Sequence, residues 1–394
     1  MQSRARVPVA FAFFSDGQEW HGGRNYFQSL FLALRQLPTS RVRPIALVGR
    51  VPDVASFQFP DNVQLARYGV FDIGSWQWNL DRVLNKLTGS PRLMNRAIRL
   101  AGARVLSHSV PTRDARVPSA VWIPDFQHLH LPSFFSEAEL QQRSETYRRF
   151  LSRSDLVIVS SEAARNDLQT FSPKHAHKAR VLRFCALPPS LATSANVDVR
   201  REYSLGARYF YLPNQLWAHK NHEVALQALV RIAQAHTDVQ IVCSGTPQDY
   251  RNPQHVPRLR ERIAAAGLRD RFLLLGVVPY PHIARLMLEA VAVINPSLFE
   301  GWSTTVEEAK AIGVPLILSD IPVHREQCPD GEAVFFDAAS ADALAGQLQA
   351  FLSADSPANT IRRSPEKALA KHHSSMTEFA LGYEAIVDEL EALV

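Results

Sequence analysis

Short apolar runs alternate with longer amphipathic segments along the whole chain. In the first half the runs Val7–Phe14, Arg43–Val48, Arg104–Ser107, Ala120–Pro124, Leu156–Ser160 and Arg180–Phe184 predict strands. Helical spacing is found near Arg24–Leu37, Leu80–Leu87, Glu137–Leu151 and Ser161–Thr170. In the second half the strand-like runs are Tyr209–Leu212, Gln240–Ser244, Phe272–Leu275, Ala292–Ile294, Leu316–Leu318 and Ala333–Phe335. Helices are predicted near His222–Ala235, His255–Ala266, His282–Glu289, Thr304–Ile312 and Ala341–Leu352. Runs that are apolar at nearly every position suit strands buried on both faces, as in parallel sheets covered by helices. The alternation occurs twice, which predicts two doubly wound α/β domains. The 394 residues are enough for two cores.

The stretch Cys185–Tyr203, rich in Pro, Ser and Ala, breaks the periodicity and is the expected seam. It separates an expected domain 1–190 from another at 204–372. Residues 375–394 form a last amphipathic segment, with Phe379, Tyr383, Ile386, Leu390 and Leu393 on one stripe, suited to cap either domain. Ser353–Pro365 is irregular. The N-terminus has two arginines before Val7–Phe14, but Asp16 follows instead of a small-residue cleavage site, so a first buried strand is expected rather than a signal peptide. No apolar run approaches the ~20 residues that span a bilayer.

Composition adds little to this until charge is mapped. The chain is 46% hydrophobic and 21% charged, ordinary for a globular protein. Cys185, Cys243 and Cys328 have no metal-binding or redox spacing and suit a reducing compartment. The net charge of +5 is uneven, since residues 1–110 hold 14 Lys/Arg against six Asp/Glu. Either a solvated basic face or an anionic partner, such as a membrane surface or a phosphorylated acceptor, accounts for that excess. No zinc-finger, RNA-recognition or basic-zipper pattern points to nucleic acid.

The chemistry concentrates at strand-to-helix junctions. After the predicted strand Ala292–Ile294 comes NPSLFEGWSTTVEEAKAIGVP. Thr304-x-x-Glu307 reads as a capping box, and the helix stops at Gly313-x-Pro315. Ligands of open α/β sheets sit at such strand ends. The amides of Gly301, Trp302, Ser303, Thr304 and Thr305 would be left unpaired at the helix start, which makes an anion site. Glu300 and Glu308 would accept hydrogen bonds from hydroxyls while amides and a cation hold phosphate, a division that fits a nucleotide sugar. A capped helix with two solvent-facing acids shows the same pattern. A second junction, YLPNQLWAHKNH, brings Asn214, Gln215, His219 and Lys220 to the start of a helix, with Lys220 placed to meet phosphate. A third, HGGRNYF, offers Gly22 and Gly23 for close backbone approach. A fourth, IPDFQHLHLPSFF, carries Asp125, Gln127, His128 and His130; without a matching Cys/His/Asp cluster, no metal is expected there.

Together these stretches resemble glycosyltransferase family 4, retaining enzymes of the GT-B fold. The carrying residues are the E-x7-E motif Glu300–Glu308, preceded by Asn295-Pro296-Ser297 and followed by Ala309-Lys310-Ala311-x-Gly313-x-Pro315. Lys220 in HKN, the pair Gly22-Gly23 and the segment Leu275-Gly276-Val277-Val278 complete the match, which is densest over 209–337. The resemblance implies two Rossmann-like domains facing a central cleft, with a C-terminal helix crossing back to the first. It implies the donor nucleotide on the C-terminal domain and the acceptor on the N-terminal one. Glu308 would bind ribose, Glu300 the transferred sugar, Lys220 the diphosphate and Val278 the base; Gly22 and Gly23 would lie near the donor phosphates. This chain departs from the family in offering Asn214 and Gln215 where many members have an arginine, leaving Lys220, His219 and the helix start to hold phosphate. Where many members have a histidine, Asp125 and His128 stand as rival catalytic residues.

The implied reaction moves a hexose-type sugar, with retention, from a nucleoside diphosphate sugar to a saccharide or lipid-linked saccharide. The implied setting is bacterial surface-polysaccharide or lipopolysaccharide assembly, in the cytoplasm or on the inner face of the membrane. No D-x-D occurs in the chain, which fits transfer without metal and without a bound cofactor. A nucleotide-sugar epimerase of the same fold, or a non-catalytic nucleotide-sugar-binding subunit, are the rival readings.

Overall fold

A computed structural model describes residues 5–14, 21–51, 57–114, 116–188, 194–329, 331–353, 355–356, 358–362 and 364–393. Asp16 and part of the expected seam, residues 189–193, lie outside these. The chain divides into two compact units. One comprises Met1–Phe126, Ala138–Cys185 and His373–Val394; the other comprises Gln127–Glu137 and Ala186–His372. Residues 127–137, inside the expected domain 1–190, thus group with the second unit.

The first unit contains β1 (Val7–Ala12), β2 (Val42–Val48), β3 (Gln64–Arg67), β4 (Val105–Ser107), β5 (Ser119–Ile123), β6 (Leu156–Val159) and β7 (Ala179–Val181). They form one parallel sheet in the order β3-β2-β1-β4-β5-β6-β7. The second unit contains β8 (Arg208–Leu212), β9 (Val239–Cys243), β10 (Phe272–Leu274), β11 (Val293–Asn295), β12 (Leu316–Ser319) and β13 (Val334–Phe336). Their parallel sheet has the order β10-β9-β8-β11-β12-β13. Both orders turn outward in two directions from a central pair, the doubly wound arrangement that opens a crevice at the carboxyl ends of that pair.

The strands earn their burial through alternation. Phe210 and Leu212 of β8 join a core with the helices His222–Ile232 and Ala341–Leu352, whereas Tyr209 and Tyr211 face the other side, toward Leu286, Met287, Val306 and Ala309. Both faces are apolar because helices cover both. Strand β3 and several helices, among them Arg92–Leu100 and Pro322–Gln327, escape the sequence pattern. Strand β3 is an edge strand with mostly exposed side chains, and the helix Arg92–Leu100 buries Met94, Asn95, Ala97 and Ile98. The final helix, Pro365–Glu391, starts ten residues before the expected one. It buries Phe379, Tyr383, Ile386 and Leu390, but Leu393 lies beyond its end and is 59% exposed. Arg180 and Arg41 bind its Glu389 and Glu391 at 2.7 and 3.1 Å. Among the described residues no helix is long and apolar enough to cross a membrane.

At the crossing of the first sheet, β1 pairs with β4 and the chain leaves β4 through His108, whose φ is 54°. The imidazole has the Tyr26 hydroxyl at 2.7 Å from Nε2 and the Ser107 hydroxyl at 2.8 Å from Nδ1. Phe11, Trp122 and Tyr383 surround it with ring centroids within 6 Å. Burial brings its pKa down to about 3, so the ring is neutral. Gly22 and Gly23 do not form a loop: they lie in the first turn of the helix His21–Gln36.

Candidate functional site

The crossing of the second sheet is polar. β8 and β11 are its central pair, and the loops that leave them carry the motif residues. The register Asn295↔Leu318 makes Asn295 the last rung of β11, so Pro296–Ser303 emerges at the rim. The loop after β8 ends in a 3-10 turn, Ala218–Lys220, and in Asn221, whose φ of 57° reverses the chain into the helix His222–Ile232. The Asn221 amide donates to the carbonyls of Pro296 and Ala338 at 3.1 and 2.9 Å, and Leu298 N donates to His219 O at 2.8 Å, so the two loops are laced together. Gly245, at φ 149°, lies under them: a Cβ there would sit 2.4 Å from Asn214 O.

The lacing brings Lys220 Nζ to 2.6 Å from Glu300 Oε1. The Ser297 hydroxyl lies 2.7 Å from the same oxygen and 2.7 Å from Asn295 Oδ1. Burial alone would raise the Glu300 carboxyl; the Lys220 ammonium, then His324, with hydrogen bonds from Lys220 and Ser297, bring it down to about 2. Glu308 behaves in the opposite way. It is 9% exposed, and burial pushes it up to about 7, with only the Tyr280 hydroxyl at 3.3 Å pulling it back. One motif therefore holds a carboxylate that stays charged and another poised near neutrality.

The helix Thr304–Ala311 is capped differently from the capping-box expectation. Ser303 is the N-cap and its hydroxyl accepts from Val306 N. Glu307 is turned inward instead, bound by Gln327 Nε2 at 2.9 Å and Lys310 Nζ at 3.2 Å. Gln327 Oε1 also accepts from Ser303 N at 3.0 Å, so that amide is not available to an anion. The amides of Gly301, Thr304 and Thr305 have no protein acceptor among the described residues. Trp302 is half-buried between them.

Other expected residues are placed less directly. Asn214 is buried, its amide donating to Asn295 Oδ1 at 3.0 Å and its oxygen accepting from Thr305 Oγ1 at 3.4 Å, so it braces both loops. Gln215 Oε1 accepts from Thr246 N at 2.7 Å. Burial and then the neighbouring Lys220 bring His219 down to about 3; it is neutral, which leaves Lys220 as the cation of this pair. Val278 is a core residue behind Gly276 and the exposed Val277. Asp125 belongs to the first unit, ion-paired with Arg143 at 2.8 Å. His128 is buried in the second unit, in the short helix Gln127–His130. In that segment His130 packs on Phe299, next to Glu300, and Gln127 accepts from Arg251 at 3.0 Å. Asn295, Ser297, Tyr280 and Gln327 carry the site's hydrogen bonds. The flank Asn295-Pro296-Ser297 marked the first two in the sequence; Tyr280 and Gln327 reach the site from other helices and carry no local signal. Among the described residues no group of three or more His, Cys, Asp or Glu is arranged to hold a metal ion.

Two doubly wound parallel-sheet units of this kind define a GT-B type of fold. Residues 202–367 match the family described as Glycosyl transferases group 1. The chain is 29% identical over 126 residues to an O-antigen chain mannosyltransferase, RfbU, of Salmonella typhimurium, covering 31% of this chain and 33% of that protein. It is 28% identical over 208 residues to the lipopolysaccharide core biosynthesis mannosyltransferase LpcC of Rhizobium leguminosarum, covering 51% of this chain and 55% of that one. The matched stretches thus span a third to about half of these relatives. Among solved structures, Anabaena Alr3699/HepE in complex with UDP and glucose shares the fold with a TM-score of 0.68 and 17% identity, over 98% of this chain and 100% of that one.

Proposed function

We propose that this chain is a retaining glycosyltransferase that moves a hexose from a nucleoside diphosphate sugar to a saccharide or lipid-linked saccharide. The names of both relatives point to mannose as the first hexose to test and to lipopolysaccharide or O-antigen assembly as the setting; the cytoplasmic side is part of the proposal. The observation that carries the reading is the Lys220–Glu300 contact at the crossing of the second sheet, with Glu308 on the helix that follows.

Lys220 and the amides of Gly301, Thr304 and Thr305 are the groups to receive a diphosphate, a cation and aligned dipoles acting on the charge of the departing group. Glu300, ionised at every physiological pH, accepts hydrogen bonds from sugar hydroxyls, and Glu308 accepts them from ribose when ionised. Both carboxylates belong to one strand–loop–helix junction instead of flanking a scissile bond, so neither is cast as a glycosidase-type acid. The leaving diphosphate takes the acceptor proton on the same face, and no metal is required.

The test is a thermal-shift screen against UDP, GDP, ADP, CMP and dTDP, with and without EDTA, followed by product analysis with the matching hexose donor. A shift for one diphosphate that survives EDTA, with acceptor-dependent product of retained anomeric configuration, supports the proposal. An isomerised donor formed without acceptor would identify an epimerase, and binding without turnover a carrier subunit. No shift with any nucleotide counts against all three.

A further inference from the structure

A second basic site lies at the other end of the first unit's sheet. Its walls come from the segments that lead into β5, β6 and β7, so it sits at the amino ends of these strands, away from the crevice end. The cavity measures 790 Å³ and is lined by Arg113, Arg148, Arg149, Arg153, Lys174 and His175, with no Asp or Glu among its lining residues.

Elsewhere in this unit arginines find acids: Arg143 binds Asp125, Arg165 binds Glu162 and Arg180 binds Glu389. None of the four cavity arginines, nor Lys174, has a carboxylate partner among the described residues. Cations at a helix end ordinarily complement its dipole. Here that task is already met, because Lys178 Nζ donates to the carbonyls of Leu151 and Ser154 at 2.9 and 2.6 Å. The arginines are also crowded: burial first, then Arg113 and Arg149, lower the pKa of Arg153. Arg113 is held at a φ of 57°, uncommon for a residue with a side chain. Arg148 lies 5.3 Å over the Phe171 ring, which fixes its guanidinium at the cavity wall. Like charges assembled without acids, around an open volume, form a receptor for an anion of more than one charge. Guanidinium forks match phosphate oxygens in particular.

We propose that this cavity binds a phosphate-bearing anion, as a site additional to the nucleotide-sugar crevice. The probe is inorganic pyrophosphate, titrated calorimetrically at low salt into the full chain carrying Lys220→Ala, so that the crevice does not contribute. One binding event is expected. Adding Arg149→Gln and Arg153→Gln should weaken it by at least about tenfold, the loss of charged hydrogen bonds, and make it less sensitive to salt. Should that variant fold poorly, Arg148→Gln with Lys174→Gln, both on exposed side chains, should give the same loss. Co-sedimentation with phosphatidylglycerol vesicles, competed by pyrophosphate, would identify a lipid headgroup as the source. Pyrophosphate binding without vesicle binding would identify a soluble phosphate compound. Equal affinity in the parent and both variants, or no binding to the Lys220→Ala chain, would overturn the proposal.

Discussion

The two sheets cross in the same way and finish in different chemistry. Where β1 passes to β4, the chain ends in rings: Tyr26, His108, Phe11 and Trp122 fill the point at which a doubly wound sheet usually opens. Where β8 passes to β11, it ends in a lysine, a carboxylate and a set of buried amides. Topology supplies a crevice in either case. The residues in the first turn after each strand decide whether that crevice is packed shut or kept polar. Lys220 and Glu300 occupy such positions in the second unit, and His108, neutral and hydrogen-bonded on both ring nitrogens, occupies one in the first.

The contrast breaks first, and most visibly, at Lys220. Lys220→Ala should reduce kcat/KM by roughly 100- to 1,000-fold, the scale of losing a group that stabilises a leaving anion. It should also weaken nucleoside diphosphate binding in the thermal-shift assay; unchanged affinity would remove the lysine from the phosphate site. Adding Glu300→Gln should recover part of the lost melting temperature, because the carboxylate would otherwise be buried without its cation.

The next effect separates the two glutamates by pH. Glu300 titrates at about 2 in the folded chain, below the ordinary 4.5, so the stability it contributes is present above about pH 4.5 and is lost as pH falls toward 2. Glu308 titrates at about 7, above 4.5, so the folded state holds a proton the unfolded state has released, and stability falls as pH rises from about 4.5 to 7. Each span corresponds to about 3 kcal/mol. Glu308→Gln should therefore gain melting temperature over wild type between pH 5 and 8, and Glu300→Gln should not. Parallel curves for the two variants would show that the carboxylates are not distinct.

Gly245→Ala is a smaller test of the same crevice. The new methyl group meets Asn214 O, and the displaced loop should cost about 2 kcal/mol of stability and weaken nucleotide binding. In the first unit Tyr26→Phe leaves a His108 nitrogen without its hydroxyl. It should cost about 1 kcal/mol in chemical denaturation and leave nucleotide binding unchanged. A change in nucleotide affinity would show that the aromatic crossing is more than packing.

The fold class was readable because these strands are buried on both faces. Apolar runs such as Leu156–Val159 and Leu316–Ser319 stand out against the helices between them. Strand β3 was not, since an edge strand leaves little apolar periodicity; the helix Arg92–Leu100 was missed although Met94, Ala97 and Ile98 keep helical spacing, because it is only nine residues long and three of them are arginines. For the site, spacing exposed Glu300, Glu308 and Lys220 as residues at junctions, but not their partners. Tyr280 and Gln327 belong to other helices, and only the folded sheet brings them to Glu308 and Ser303. Nor does a sequence show which hydroxyl caps a helix when Ser303, Thr304 and Thr305 stand in a row. Packing settled it by turning Glu307 inward to Gln327.

The Lys220–Glu300 contact has a kinetic consequence. Lys220 is not a bare charge waiting for phosphate: its ammonium already has an internal counter-ion. A diphosphate can take it only by exchange, and the released carboxylate needs new donors at the same moment. A nucleotide sugar brings both halves of that exchange in one molecule, phosphate for the lysine and hydroxyls for the glutamate. Inorganic phosphate brings only one, so it should compete poorly with donor even at high concentration. Under the proposed function the pair would act as a selectivity gate, and an inhibition series running from phosphate through nucleoside diphosphate to nucleotide sugar would measure its height.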